Sequence, residues 1–278
     1  MTHLLDVAAK EVRQGMRNRW VVAATLVLAA LALGLAFLGS APAGSVGASR
    51  LAVTVVSLAS LTIFLLPLIA LMLAYDTLAG EIERGTMLLL LAYPVGRGEV
   101  VWGKFLGHLA LLAFATVVGY GAAGLGIALA GGKAGAAVGD WRAFVVLIAS
   151  SVLLGASFLA LGILASALVR DRATAAGIAV AAWLVFVLLF DLTLLGVLAA
   201  SEGKAISAAA FRWLLLLNPA DAYRLLNLTG FSDVRQFAGM AGLSQEVLWP
   251  PVVLAAALVG WVVVPLVAAH ALFARRQM

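Results

Sequence analysis

Cysteine is absent from the 278 residues. No disulfide, thiolate metal site or cysteine nucleophile can be built from such a chain. Charge is scarce too: 11% of residues are charged and 64% are hydrophobic, against about 25% and about 45–50% in soluble domains. With a mean hydropathy of +1.12, water could not solvate this chain as a folded globule. It is an integral membrane protein. Acids are the rarer sign, 13 against 18 Lys and Arg, for a formal charge of +5. No basic stripe with interleaved aromatics accompanies that excess, so it argues against nucleic acid as a partner and for bases that orient spans in a bilayer.

Chemical motifs are missing as well. Lys104, Lys133 and Lys204 follow glycine but precede neither Ser nor Thr, so the phosphate-cradling loop of nucleotide-binding chains is not encoded. H-E-x-x-H and G-x-S-x-G do not occur. His3, His108 and His270 sit in three separate regions, and Met16, Met72, Met87 and Met240 form no ladder through the spans. A metal site needs convergent ligands. The reading is of a chain with no catalytic residue, no metal site and no cofactor of its own.

What is abundant is apolar run length. A spanning helix needs roughly 20 apolar residues, and six runs qualify: 20–38, 52–75, 101–130, 143–169, 174–200 and 250–273. They are continuous rather than alternating, which excludes a transmembrane β-barrel. The expected fold is all-α, one transmembrane domain over residues 1–278 with six spans. Six spans put both termini on one side. That side carries Lys10, Arg13, Arg17, Arg19, Arg84, Arg97, Lys104, Arg170, Arg172, Arg275 and Arg276, while the short opposite loops hold Arg50, Lys133 and Arg142. The bases assign it to the cytoplasm. Residues 1–19 place Leu5, Ala8, Val12, Met16 and Trp20 at helical spacing, which predicts an amphipathic helix in the membrane surface; a plain polybasic anchor is the alternative.

The stretch 79–104, AGEIERGTMLLLLAYPVGRGEVVWGK, gathers three acids and three bases around a short apolar run. Glu81 and Glu83 suit a helix start, and Pro94 ends it. The expectation for the 79–100 loop is a cytoplasmic helix of about three turns, too short to span. Its Met87–Leu91 face needs a cover, either the lipid interface or the groove of a soluble partner.

Residues 201–249 form an enlarged outer connection between the fifth and sixth spans. Asn218 followed by Pro219, with Asp221 in the first turn, reads as a helix start. Asp191 is the one carboxylate well inside an apparent span. Such a charge costs at least ~2.5–3.5 kcal/mol and marks a functional candidate, a capped structural Asp being the rival reading. No span offers it an evident partner. Gly103-x-x-x-Gly107 and Ala115-x-x-x-Gly119 permit close helix approach, within one protomer or at a dimer seam.

Together these features resemble the type-2 ABC exporter permease family: the surface helix AAKEVRQGMRNRW (8–20), the loop EIERGTMLLLLAYPVGRGEVVWGK (81–104), six spans and the enlarged outer connection. Its E-x-x-x-G-T…L…P…R…K framework matches Glu81, Gly85, Thr86, Pro94, Arg97 and Lys104. The resemblance implies that the first cytoplasmic loop holds a coupling helix docking on a separate ATP-binding subunit, which carries ATP and Mg, and that two permease copies assemble in a bacterial inner membrane. On that reading the coupling residues are Glu81, Glu83, Arg84, Gly85, Thr86, Met87, Leu88, Leu89, Leu90, Leu91, Pro94 and Arg97. Asn218, Pro219, Asp221, Tyr223, Arg224 and Asn227 would face a periplasmic partner or gate. An exporter of lipid, drug or glycan is the alternative with the same architecture. An intramembrane hydrolase or proton-coupled transporter would need further polar groups beside Asp191.

Overall fold

A computed structural model describes residues 2–17, 19–38, 50–129, 138–201, 207–228 and 249–276. The described residues are almost all helical, in twelve α-helices: α1 Thr2–Met16, α2 Arg19–Leu38, α3 Arg50–Ala74, α4 Ala79–Glu83, α5 Thr86–Leu91, α6 Arg97–Leu129, α7 Val138–Leu168, α8 Arg172–Leu184, α9 Phe190–Ala200, α10 Ala208–Leu216, α11 Pro219–Leu228 and α12 Pro251–Arg275. Among the described residues, five helical stretches are long and apolar enough to cross a membrane, containing α3, α6, α7, α8–α9 and α12. The 20 residues of α2 also reach about 30 Å, and counting α2 makes six. α1 lies at 68° to α2.

The runs fold this way because buried backbone in lipid must satisfy itself within a helix. Helix α7 is the hub, packed against α3, α6, α8, α11 and α12, while α6 carries α1 and α2. The span formed by α8 and α9 is the outlier, with 17% of its most apolar window covered by protein against 61% for α7. A π-helical turn over Val185–Leu189 joins its two halves. One carbonyl in that turn, of Phe186, accepts the side-chain amide of Asn218 at 2.9 Å.

Small residues on α6 serve contacts within the protomer. A Cβ at Gly103 would lie 2.8 Å from Val7 Cβ and 2.9 Å from the Leu4 carbonyl oxygen on α1. At Gly107 it would meet Glu11 Cβ at 2.5 Å and the Ala8 carbonyl at 2.9 Å, and at Gly119 Leu28 Cβ of α2 at 3.0 Å. The glycine row thus seats α1 and α2, the nearer of the two uses open from sequence. On α1 the covered face holds Val7 and Glu11, while Leu5 and Met16 of the predicted apolar stripe stay exposed, as a helix in contact with lipid requires.

Two expectations need correction. The single three-turn helix over 81–94 is two short helices, because Gly85 takes φ +72° between them, a left-handed conformation that glycine adopts without a Cβ clash. The third span starts four residues early, at Arg97, where the Glu99 carboxylate accepts the Gly96 N–H at 2.9 Å and caps the first turn. Much of the outer connection, at 202–206 and 229–248, lies outside the described residues.

Filling the α1 seat is predicted to destabilise the fold. Gly107→Leu should cost about 1–3 kcal/mol by overpacking, read as a lower melting midpoint in detergent. Gly121→Leu, with nothing within 4 Å, should stay within about 0.5 kcal/mol of wild type.

Candidate functional site

Residues 75–97 leave α3, form α4 and α5 and enter α6, and polar contacts tie them to nearly every neighbouring helix. The Leu78 and Ala79 backbone N–H groups donate to Ser166 Oγ of α7 at 2.9 and 2.8 Å. Glu81 of α4 accepts from Lys104 Nζ of α6 at 2.8 Å, and the same ammonium donates to Glu11 of α1 at 2.7 Å. Lys104 is 2% exposed. A cation that far from water needs charged partners, and it has two. Lys10 reaches Glu81 at 3.7 Å, and His108 Nε2 lies 3.9 Å from Glu11.

Further along, the Glu83 carboxylate accepts the N–H of Arg172, the first residue of α8, at 2.8 Å, where the helix dipole favours an anion. Arg84 pairs with Asp76 at 3.3 Å, and the Thr86 hydroxyl donates to the Glu81 carbonyl at 3.3 Å. Arg97 points elsewhere. Its guanidinium donates to the carbonyls of Phe273, Ala274 and Arg276 at 3.3, 2.8 and 2.6 Å, capping the end of α12. Thus Glu81, Thr86 and Lys104 of the sequence framework converge, whereas Arg97 binds the last helix.

The apolar run divides in the same manner. Met87 is 1% exposed and belongs to the core, and Leu90 and Leu91 are half-buried against it. Leu88 and Leu89 are 60% and 69% exposed, and so is Tyr93, at 70%. The outward ridge is therefore Leu88, Leu89 and Tyr93, with Pro94 beside it, rather than all of Met87–Leu91. Tyr93 was not among the residues chosen from sequence, and neither were Glu11, Asp76, Ser166 and Arg172. Glu11 and Lys104 are 93 positions apart, and no local pattern links them.

Outside the loop, Asp191 does have a partner. Arg224 of α11 donates to it at 2.8 Å and to Asp221 at 2.6 Å, so one guanidinium serves two carboxylates. Burial pushes the Asp221 carboxyl up; Arg224 pulls it back and the Asp191 carboxylate adds to the rise. Asn218, Asp221, Tyr223 and Asn227 are all buried. The Asn218 side-chain oxygen accepts the Ala220 N–H at 3.0 Å, the helix start expected of Asn218-Pro219. Tyr223 meets Ser151 at 3.0 Å, and the Asn227 amide donates to Ser150 at 2.9 Å. Deeper in, Thr62 and Tyr120 pair at 2.6 Å. These side chains turn into the bundle, because a hydroxyl or amide among spans needs a partner, and leave little of themselves for a soluble protein to touch. Among the described residues no group of three His, Asp or Glu is placed to hold a metal ion.

The profile of the family described as ABC-2 family transporter protein matches residues 5–278. The chain belongs to that family. The resemblance drawn from the 81–104 loop and the span pattern is borne out. A Stutzerimonas stutzeri protein named probable ABC transporter permease protein NosY is 46% identical over 276 residues, covering 99% of both chains. A Pseudomonas aeruginosa protein of the same name is 47% identical over 272 residues, covering 98% of both. As an ABC-2 family member of this architecture, the chain is a multi-pass inner-membrane permease subunit, and a permease of an ABC transporter works with an ATP-binding partner.

Removing the buried cation should expose its worth. Lys104→Met leaves Glu11 and Glu81 uncompensated, an expected loss of about 3–5 kcal/mol, read as a lower melting midpoint that Glu11→Gln partly rescues. Acid should do the same. Burial raises the Glu11 carboxyl, but Lys104, with smaller help from His108 and Lys10, outweighs it and holds the group below its ordinary value. A depressed carboxylate contributes its full stability at neutral pH and loses it as pH falls through the folded value. The midpoint should therefore hold near neutrality and fall below about pH 4, less steeply in Glu11→Gln.

Proposed function

We propose that this permease couples ATP hydrolysis by a cytoplasmic, NosF-like ATP-binding subunit to work on the periplasmic side, and that the α4–α5 loop is where the two meet. The observation that carries the reading is the exposed ridge of Leu88, Leu89 and Tyr93, borne on a loop whose Glu81 and Arg97 are held by the chain's own helices. Exposed apolar anchors supply most of the affinity of an interface, and the outer charges Glu83 and Arg84 tune specificity and encounter. ATP and Mg belong to the partner, and the permease itself catalyses nothing. Both termini and the loop face the cytoplasm on the strength of the flanking bases, and a second copy of the chain completes the transporter.

Extensive likeness to proteins named NosY supports a narrower reading. The work done is maturation of the copper–sulfide centre of nitrous oxide reductase, with a NosD-like periplasmic protein as receiving partner. Either a sulfur species crosses or force alone is transmitted. Polar side chains among the described spans are few and are mostly hydrogen-bonded to backbone carbonyls or to one another, which disfavours a hydrated metal ion as cargo.

Two experiments test these layers separately. Leu88→Glu with Leu89→Glu should cut co-purification of the ATP-binding subunit at least tenfold and abolish permease-dependent ATP turnover. Wild-type co-purification and turnover would overturn the docking assignment. In the denitrifying host, deleting this gene should yield nitrous oxide reductase without the absorption of its copper–sulfide centre. A fully assembled centre in the deletion strain would overturn the maturation reading.

A further inference from the structure

Of the four carboxylate oxygens carried by Asp191 and Asp221, three have donors. Asp191 Oδ2 and Asp221 Oδ1 take the Arg224 guanidinium at 2.8 and 2.6 Å, and Asp221 Oδ2 takes the Asn218 amide at 3.0 Å. The fourth, Asp191 Oδ1, is buried and has no donor among the described residues. Two acids face one base, so with both acids ionised the set carries one negative charge in excess. Asp221 is buried, and Asp191 and Arg224 are largely so. An uncompensated charge in that setting is costly. Two carboxylates that share a site avoid the cost by keeping a proton between them.

Among the described residues no second base is placed to cancel the excess. Helices α3, α7 and α12 pack against α11, and their stretches 51–74, 143–168 and 251–269 carry no titratable side chain. Arg142, at the start of α7, is exposed. Arg212 of α10 lies over the Trp249 ring at 4.5 Å, and Tyr223, on α11 itself, meets Ser151. The charged groups acting on Asp221 are Arg224 and Asp191, and Asp191 is near enough to accept from Asp221 once that carboxyl is protonated. A proton on either acid gives the unpaired oxygen a role, as its site or as the acceptor of the other acid's O–H.

We propose that Asp191 and Asp221 hold one proton between them, a proton-binding site that closes, together with Arg224, the clasp joining α11 to the α8–α9 span. With the proton bound, the two acids and the guanidinium are neutral as a set. Without it, two anions repel each other across a single cation. The hold of α11 on the span therefore weakens as pH rises.

The test is infrared spectroscopy of the full-length chain in detergent, titrated upward from about pH 6, where an ordinary aspartate is ionised. Wild type should show the carbonyl stretch of a protonated carboxyl at that pH, shifting in heavy water and disappearing on further titration. Asp191→Asn and Asp221→Asn should each lose the band, because the remaining acid then pairs with Arg224 as an ion. Arg224→Gln should keep it to higher pH than wild type, since removing the cation favours the protonated form. Absence of the band from wild type, its survival at full strength in either Asn variant, or an unchanged titration in Arg224→Gln would overturn the shared proton. The wild-type titration decides by itself if a substitution unfolds the chain. For the clasp, amide exchange in α11 at about pH 8 should be faster in wild type than in Asp221→Asn, which keeps the neutral form. Equal or slower exchange in wild type would remove the clasp from the proposal's reach and overturn it.

Discussion

A buried ammonium organises the corner of the molecule where α1, α4 and α6 meet. Lys104 has almost no contact with water, and a charge so placed is tolerable only while both carboxylates stay within hydrogen-bond reach. Glu11 arrives on α1 and Glu81 on α4, so one side chain of α6 decides where a surface helix and a loop segment must lie. The glycines at 103 and 107 belong to the same arrangement. By letting α1 approach to backbone contact, they bring Glu11 close enough for the pair to form. Packing and electrostatics are not separable at this corner.

Around that pair the loop is sorted into inward charge and outward grease. Ser166, Lys104 and the α8 N-terminus hold α4, while Met87 roots α5 in the core and leaves Leu88, Leu89 and Tyr93 outside. Arg97 then fastens the entry of α6 to the end of α12. A push on the ridge, the event proposed for a nucleotide-driven partner, would be felt by the helices holding these anchors at once.

Much of the architecture was legible because spans announce themselves by run length, and a chain so poor in charge shows its loops plainly. The Asn218-Pro219 start was legible for the same local reason, since a cap and its helix lie within a few residues. Other features escaped because they depend on distant partners. Asp191 looked solitary because Arg224 sits 33 residues on, in a segment read as facing outward. The break at Gly85 was hidden by a continuous helix-like pattern, and a glycine says only that a left-handed residue is affordable. Which leucines of the run face out could not be read at all, because five consecutive apolar residues carry no periodicity.

The π-helical turn between α8 and α9 has its own geometric effect. An extra residue in a helical turn sets everything beyond it back by about 100° around the axis. Asp191 stands two positions after that turn, so the insertion sets the azimuth of its carboxylate. With regular α-helical winding the same residue would swing round the span, out of line with Arg224. The Asn218 amide, bound to the Phe186 carbonyl inside the turn, pins the added phase from the segment that also carries the guanidinium. Angular position in the span and the pairing of its acid are thus set by one bulge and one amide.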